Sequence, residues 1–291
     1  MPIEPLPPQL VREVVAAALA EDRAAEDVTT EALDARRLPA EARIVARQAG
    51  VLAGLALAAE AFRQLDPECT LRPLRHDGER VRPGEVVAIV RGSADAILRG
   101  ERVALNFLQR LSGIATLTAR FVDEVAGTGC VILDTRKTTP GLRDLEKYAV
   151  RCGGGRNHRR DLAEMAMVKD NHRALAAKLG LTLAELVRRI RARNPGIPVE
   201  VEVDDLSELA DALAAEPDWI LLDNMTPDDL RLAVAAVSGR AKLEASGGVT
   251  LATVRAIAET GVEAVSVGSL THSAPALDLS LELELERPEA N

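Results

Sequence analysis

Aromatic side chains are nearly missing from this chain: three Phe, one Trp and one Tyr, 2 % of 291 residues. Single-stranded nucleic acids are held largely by stacking on aromatic rings, so the scarcity argues against that class of ligand. It also leaves Leu, Val, Ile and Ala to build the core. The three cysteines, Cys69, Cys130 and Cys152, are odd in number and far apart, and no CxxC pair occurs. Neither a disulfide framework nor a cysteine zinc site is indicated, and a reducing compartment is expected. The N-terminus lacks a basic run, and the longest apolar stretch, Val51–Ala59, is too short to span a bilayer. A soluble cytoplasmic protein is expected. A net charge of −9 discourages binding to nucleic acids and anionic membranes. No Walker loop, no GxGxxG after a strand and no Ser-His-Asp or Cys-His arrangement is evident, which makes dinucleotide-binding and hydrolase readings poor.

Against this acidic background stands a basic island. Residues 134–173 hold ten Arg or Lys and six Asp or Glu. Most charge runs are solvated, salt-bridged faces. Here the charges are punctuated by Thr138-Thr139-Pro140-Gly141 and by Gly153-Gly154-Gly155 and do not read as a helical ladder, and the island begins and ends on apolar strand candidates. A pocket for a small, multiply anionic ligand is the better reading, since guanidinium forks grip carboxylates and phosphates in bidentate fashion.

In chain order, Gln9–Ala20 reads as an amphipathic helix, Glu41–Gln48 as a strand and Leu55–Leu65 as a helix. Thr70–Arg75 and Glu85–Val90 are further strands. His76 is expected in an exposed loop. A helical pattern runs from Asp95 to Val125, with a break expected at Ser112-Gly113. Arg102 and Arg110 lie among its apolar residues, where a snorkelling surface arginine is the plain expectation. Strands then alternate with helices: Val131–Leu133, Met165–Val168, Val199–Val203, Trp219–Leu222, Lys242–Ala245 and Ala264–Val267. Thr182, Thr226 with Pro227, and Thr250 mark helix starts. Such alternation makes a parallel sheet with right-handed crossovers, an α/β barrel closed or nearly so, with an open doubly wound sheet as the alternative. The tail Leu277–Leu285 alternates leucine with polar residues, so it should leave the barrel as an antiparallel strand and join the first domain. The expected division is an α/β domain over 1–100, completed by 275–291, and a barrel over 101–274.

In such barrels the chemistry sits at the carboxyl ends of the strands. Those ends carry Asp134, Arg136 and Lys137; Lys169; Glu202; Asp223 and Asn224; Ser246-Gly247-Gly248; and Gly268. Each has a plainer reading. Glu200 and Glu202 could face solvent from an edge strand, Asp223 could be an ordinary acid before a helix, and the Gly pair could be a tight turn. Together they point to substrates bearing a phosphate and at least one carboxylate. Glycines on the last two loops would let backbone N–H groups approach the phosphate. Glu202 and Asp223 would remain to hold Mg²⁺ or to face a developing cation.

The run DTRKTTPGLRDLEKYAVRCGGGRNHRRDL with MVKDNH resembles the core signature of the quinolinate phosphoribosyltransferase family. EDRAAEDVTT, ERVALNFLQRLSGIAT, VEVEVD, ILLDNM, LEASGGV and VSVGSLTHSAPALDLSL extend the likeness over essentially the whole chain. The resemblance implies an open-faced α/β sandwich packed on an incomplete α/β barrel. It also implies the conversion of quinolinate and phosphoribosyl pyrophosphate (PRPP) to nicotinate mononucleotide, pyrophosphate and CO2, with Mg²⁺. By matching motifs, Arg136, His158, Arg159 and Lys169 would clamp quinolinate's two carboxylates, with Arg102 contributed by the neighbouring subunit of a homodimer that could stack further into a hexamer. Lys137, Glu202 and Asp223 would surround the pyrophosphate, metal and ribose, with Lys137 and Lys169 counted in the catalytic set. Ser246, Gly247, Gly248 and Gly268 would cradle the 5′-phosphate. Glu26-Asp27 departs from the family, which usually has glycine before the Asp. A nicotinate-specific or molybdate-operon relative, a catalytically silent paralogue and a phosphate-binding barrel isomerase remain as alternatives.

Overall fold

A computed structural model describes residues 3–33 and 38–284. Pro2, in the lead-in, and Leu285, at the end of the leucine alternation, lie outside them. By contacts the chain divides into two units. One comprises residues 1–119, 144–154 and 273–291, the other 120–143 and 155–272. Elements are numbered in chain order.

The first unit holds α1 (Pro8–Glu21), α2 (Val28–Glu31), β1 (Pro39–Ala46), β2 (Gly50–Val51), α3 (Leu55–Leu65), β3 (Thr70–Pro73), β4 (Arg80–Val81) and β5 (Val86–Ser93). Its antiparallel sheet has the order β12-β1-β5-β3, with β12 (Leu279–Glu284) arriving from the tail. Register explains the tail's alternation. Leu279, Leu281 and Leu283 stand opposite Ala46, Ile44 and Ala42, so the tail leucines extend the apolar face of β1. His76 is exposed, as expected. Asp77 accepts the Gly54 and Leu55 N–H groups at the start of α3, at 2.9 and 3.2 Å, satisfying donors that a helix leaves open.

Two expectations fail here. First, α4 (Ala94–Glu124) runs unbroken through Ser112-Gly113. Gly113 is there for proximity: a Cβ on it would lie 2.1 Å from the Pro275 carbonyl oxygen. Ser112 Oγ accepts Ala53 N–H at 2.9 Å and donates to the Ala53 carbonyl at 3.2 Å. Second, part of the basic island is a helix, α5 (Arg143–Cys152), in which Arg143, Lys147 and Arg151 recur at the i,i+4 spacing of a ladder. Leu145, Tyr148, Ala149, Val150 and Cys152 are buried, and the Tyr148 hydroxyl donates to Asp77 at 2.6 Å. Lys147, Tyr148 and Arg151 thus belong to the first unit.

The second unit has six parallel strands: β6 (Val131–Leu133), β7 (Ala166–Val168), β8 (Val199–Val203), β9 (Trp219–Asp223), β10 (Lys242–Ser246) and β11 (Ala264–Ser266). Their order is β6-β11-β10-β9-β8-β7. Among the described residues β6 does not pair with β7, so the barrel is incomplete, with a seam between its first two strands. Connections are α6 (Asp170–Lys178), α7 (Leu183–Arg193), α8 (Leu209–Ala214), α9 (Pro227–Val237), α10 (Val254–Ala258) and α11 (Ser269–His272). The caps follow the sequence signals. Thr182 and Glu185 form a reciprocal capping box on α7, and Thr226 caps α9 with Pro227 at its first position. Thr250 differs: its carbonyl accepts from Thr253 and Val254 in a turn, and the helix proper begins only at Val254.

All five residues of β8 are buried. A parallel strand is covered on both faces. Val199, Val201 and Val203 take one face, each completely buried, and each is worth about 2 kcal/mol of apolar burial. Glu200 and Glu202 take the other. The edge-strand reading of these acids is thereby excluded, because β8 lies between β7 and β9.

Candidate active site

Parallel register carries one strand's inward residues onto its neighbours. Glu202 stands beside Leu221 and Leu221 beside Glu244, while Asp223 stands beside Ser246 one step further towards the carboxyl ends. The acids of β8, β9 and β10 therefore share the inner face of the curled sheet, with Asp223 and Ser246 at its mouth.

At its floor, His158 closes the curl. The segment carrying it runs beside β6 through a parallel bridge between Leu133 and Arg156. In a flat sheet this segment would lie five strand spacings from β8, roughly 24 Å. Instead His158 Nε2 is 3.1 Å from Glu200 Oε2 on β8 and 3.2 Å from Glu244 Oε2 on β10. All three side chains are buried. On the other side of the ring, the Arg159 backbone N–H donates to Nδ1 at 2.7 Å. Burial alone would lower the histidine's pKa, but the hydrogen bonds and charges of the two carboxylates outweigh it and push it up to about 9. The Nε2–H faces the two carboxylates, while the Arg159 N–H needs a lone pair at Nδ1 and so works against the second proton that they favour. Burial pushes the Glu200 carboxyl up, against the lowering influence of His158. The same segment is pinned by fully buried Asp134, which accepts Asn157 Nδ2–H at 2.6 Å and the His158 N–H at 2.8 Å.

Next along come the cations. Arg159 donates to the Met165 carbonyl at 2.9 Å, and its charge is disfavoured first by burial and then by Arg136 nearby. Arg136 Nε is buried without a hydrogen-bond partner. Two guanidiniums drawn together, one with an orphan donor, form a site short of an anion. Arg143 braces this corner. Its guanidinium donates to Thr138 Oγ1 at 3.1 Å and reaches the carbonyls of Arg160 and Arg136 at 3.3 and 3.4 Å. Lys169 forms an ion pair with Glu202, its side chain still 43 % exposed.

Also at the carboxyl ends, the loop after β6 is joined to that after β11, and the loop after β9 to that after β10. Thr271 Oγ1 donates to the Lys137 carbonyl at 2.7 Å. Asn224, in the left-handed region at φ 55°, donates its backbone N–H to the Ser246 carbonyl at 2.8 Å and its amide to Asp223 at 2.7 Å. Gly247, at φ 95°, is backed so closely by Asn224 that a Cβ would sit 2.1 Å from its Oδ1. Gly248 faces open space. Gly268 is flanked by the Lys137 side chain and by His272 Nε2, which a Cβ there would approach to 3.0 and 3.3 Å.

The second unit thus gathers Arg136, His158, Arg159, Lys169, Glu202, Asp223, Lys137, Ser246, Gly247, Gly248 and Gly268. Arg102 is exposed on α4 of the first unit, between Glu101 and buried Val103. Sequence reasoning gave no role to Glu244, Arg143 or His272. The lone acid of LEASGG had one discoverable signal, its place on an otherwise apolar inner strand. His272 could have been flagged by its closeness to Gly268 in GSLTH.

The chain matches the family model for the quinolinate phosphoribosyl transferase C-terminal domain over residues 114–282 and that for the N-terminal domain over residues 27–112. It is 43 % identical over 265 residues to a probable nicotinate-nucleotide pyrophosphorylase [carboxylating] of Bacillus subtilis, covering 91 % of this chain and 90 % of that one. It is 41 % identical to the chloroplastic nicotinate-nucleotide pyrophosphorylase [carboxylating] of Arabidopsis thaliana, covering 95 % and 83 %. Among solved structures, NadC from Streptococcus pyogenes superimposes with a TM-score of 0.91 at 40 % identity, covering 98 % of this chain and 100 % of that one. The nicotinate-nucleotide pyrophosphorylase of Francisella tularensis gives 0.90 at 37 %, covering 98 % and 99 %.

Proposed function

The chain belongs to the quinolinate phosphoribosyl transferase family, and on that premise we propose that it joins quinolinate to PRPP, yielding nicotinate mononucleotide, pyrophosphate and CO2 in de novo NAD biosynthesis. One observation in the site carries the reading furthest: Arg136 and Arg159 are brought together with an unpaired buried donor between strand ends. A dicarboxylate supplies the missing negative charge, and fixed guanidinium forks also orient its ring. Lys169 is the third cation of this clamp, and His158 lies in the same loop.

The chemistry then follows from placement. The pyridine nitrogen attacks C1′ of PRPP while the C1′–O bond breaks and its electron pair departs with pyrophosphate. Positive charge develops on the ribose, and Glu202 and Asp223 stand on adjacent strands to face it. Loss of CO2 from ring C2 leaves an electron pair beside the cationic nitrogen, and a proton at C2 completes the product. No protein nucleophile is required. Lys137 takes the pyrophosphate side, and Ser246, Gly247, Gly248 and Gly268 cradle the 5′-phosphate.

Mg²⁺ enters this proposal as PRPP's companion. The hard carboxylate oxygens of Glu202 and Asp223 would hold it, with Glu202 also paired to Lys169. Bound there, it would offset pyrophosphate charge. A homodimer in which Arg102 reaches the neighbouring site is also proposed, supported by that arginine's exposure beside buried Val103, Ala104 and Leu105. A cytoplasmic location belongs to the same reading; among the described residues no helix is long and apolar enough to cross a membrane.

The test is to mix protein, Mg²⁺ and PRPP with quinolinate or nicotinate and follow mononucleotide and pyrophosphate. Turnover with quinolinate alone, lost in Arg136→Ala, is expected. Turnover with nicotinate alone would overturn the two-carboxylate clamp, and silence with both would overturn the reaction.

A further inference from the structure

His158, Glu200 and Glu244 are the one group of metal-ligating types among the described residues whose ligand atoms lie within 4.8 Å of one another. A metal reading is unattractive. A ligating Nε2 needs its lone pair, and the Arg159 amide has already claimed the one at Nδ1. What the cluster does hold is the ring, from both sides. One nitrogen faces two carboxylates on β8 and β10, at 3.1 and 3.2 Å, and the other receives the N–H of the residue that bears the clamp guanidinium. Both ring nitrogens are thus already engaged within the protein.

We propose that Glu200 and Glu244 are positioning residues: by holding His158 across the barrel they seat the Asn157–Arg160 segment and set where the Arg159 guanidinium stands.

Three features of the molecule argue for this. Among the described residues the His158 segment has its backbone bridge to β6, and across the seam the Arg159 guanidinium donates to the Met165 carbonyl at 2.9 Å and to Met167 Sδ of β7 at 3.5 Å. None of these contacts reaches β8 or β10, which His158 joins to the segment through Glu200 and Glu244. Asp134 accepts the Asn157 side-chain amide and the His158 backbone N–H, but on β6's own side of the seam. Carboxylates with side chains 0 and 2 % exposed are costly to bury and persist where a specific partner fixes them. The proposal rests on the quinolinate reading for its kinetic arm and for the quinolinate titration, and not for the signal of the ligand-free variants.

The experiment combines one measurement on the wild-type protein with a pair of variants. In protein labelled with 15N-histidine, the His158 Nε2–H signal, identified by its loss in His158→Gln, should be slow to exchange. It should stay unmoved when quinolinate saturates the site. A signal displaced by quinolinate would make His158 a direct ligand and overturn the positioning role. Glu244→Ala should raise the KM for quinolinate about tenfold, the scale on which a misplaced binding group acts. The KM for PRPP should stay within about twofold, and Glu244→Gln, which keeps an acceptor for Nε2–H, should recover most of the loss. Equal changes in both KM values, or in neither, would overturn the proposal. Should Glu244→Ala fail to fold, the wild-type signal decides. Failure of the assigned reaction is distinguishable. Wild-type protein that ignores quinolinate refutes the reaction, whereas loss or shift of the His158 Nε2–H signal in ligand-free Glu244→Gln or Glu244→Ala reports on the anchor alone. An unaltered signal in both variants refutes the anchor.

Discussion

Replacing Gly247 by alanine separates the phosphate end of the site from the carboxylate end. The substitution meets two obstacles. At φ 95° an L side chain is strained, which costs about 1–2 kcal/mol. A Cβ would also lie 2.1 Å from Asn224 Oδ1 and 2.8 Å from the Asn224 backbone nitrogen. The amide can swing aside at small cost. The backbone cannot do so without moving the loop, and restoring ordinary contact at 3.4 Å requires a shift of about 0.6 Å. Displacements approaching 1 Å in a positioned group cost up to about 100-fold, so a rise of about tenfold in the KM for PRPP is expected. Quinolinate affinity should change less than about twofold. Stability should fall by about 2 kcal/mol, a loss of roughly 4–8 °C in Tm. Gly248→Ala is the control. Its Cβ meets nothing within 4 Å, so the backbone strain at φ 58° is its only internal penalty. If a phosphate occupies that open space, Gly248→Ala also weakens PRPP, with a smaller loss of Tm. Initial rates with each substrate varied, together with thermal unfolding, decide the matter. A quinolinate KM that rises while the PRPP KM stays put, in either variant, refutes the cradle.

Two further outcomes test the packing. Gly113→Ala would ordinarily stabilise a helix by about 1 kcal/mol. Here the new methyl meets the Pro275 carbonyl oxygen at 2.1 Å, so denaturant titration should show a net loss; a gain would mean that the tail does not lie against α4. Burial pushes the thiols of Cys130 and Cys152 up to about 12, and burial with Asp66's charge raises Cys69. All three cysteines are buried, so Ellman's reagent at pH 8 should find no thiol within minutes in folded protein and three in guanidinium chloride. Rapid labelling of the native protein would contradict the packing around them.

Local chemistry alone settled a large share of this protein. The strand–helix alternation, the Thr182 and Thr226 caps and the leucine period of the tail depend on near neighbours or on one buried face, so pattern sufficed. The carboxyl-end residues were legible for the same reason: once a strand is placed, its last residue is known. Tertiary structure decided the rest. Ser112-Gly113 reads as a break because glycine weakens helices, yet the helix continues because a distant carbonyl needs that space. Arg143–Cys152 reads as a punctuated charge run because its apolar face emerges only when Leu145, Tyr148 and Val150 find their cover. Glu200 and Glu244 stand 44 residues apart, and only the curl of the sheet brings both to one histidine. Contacts across a barrel are set by strand order and closure, which no window of sequence contains.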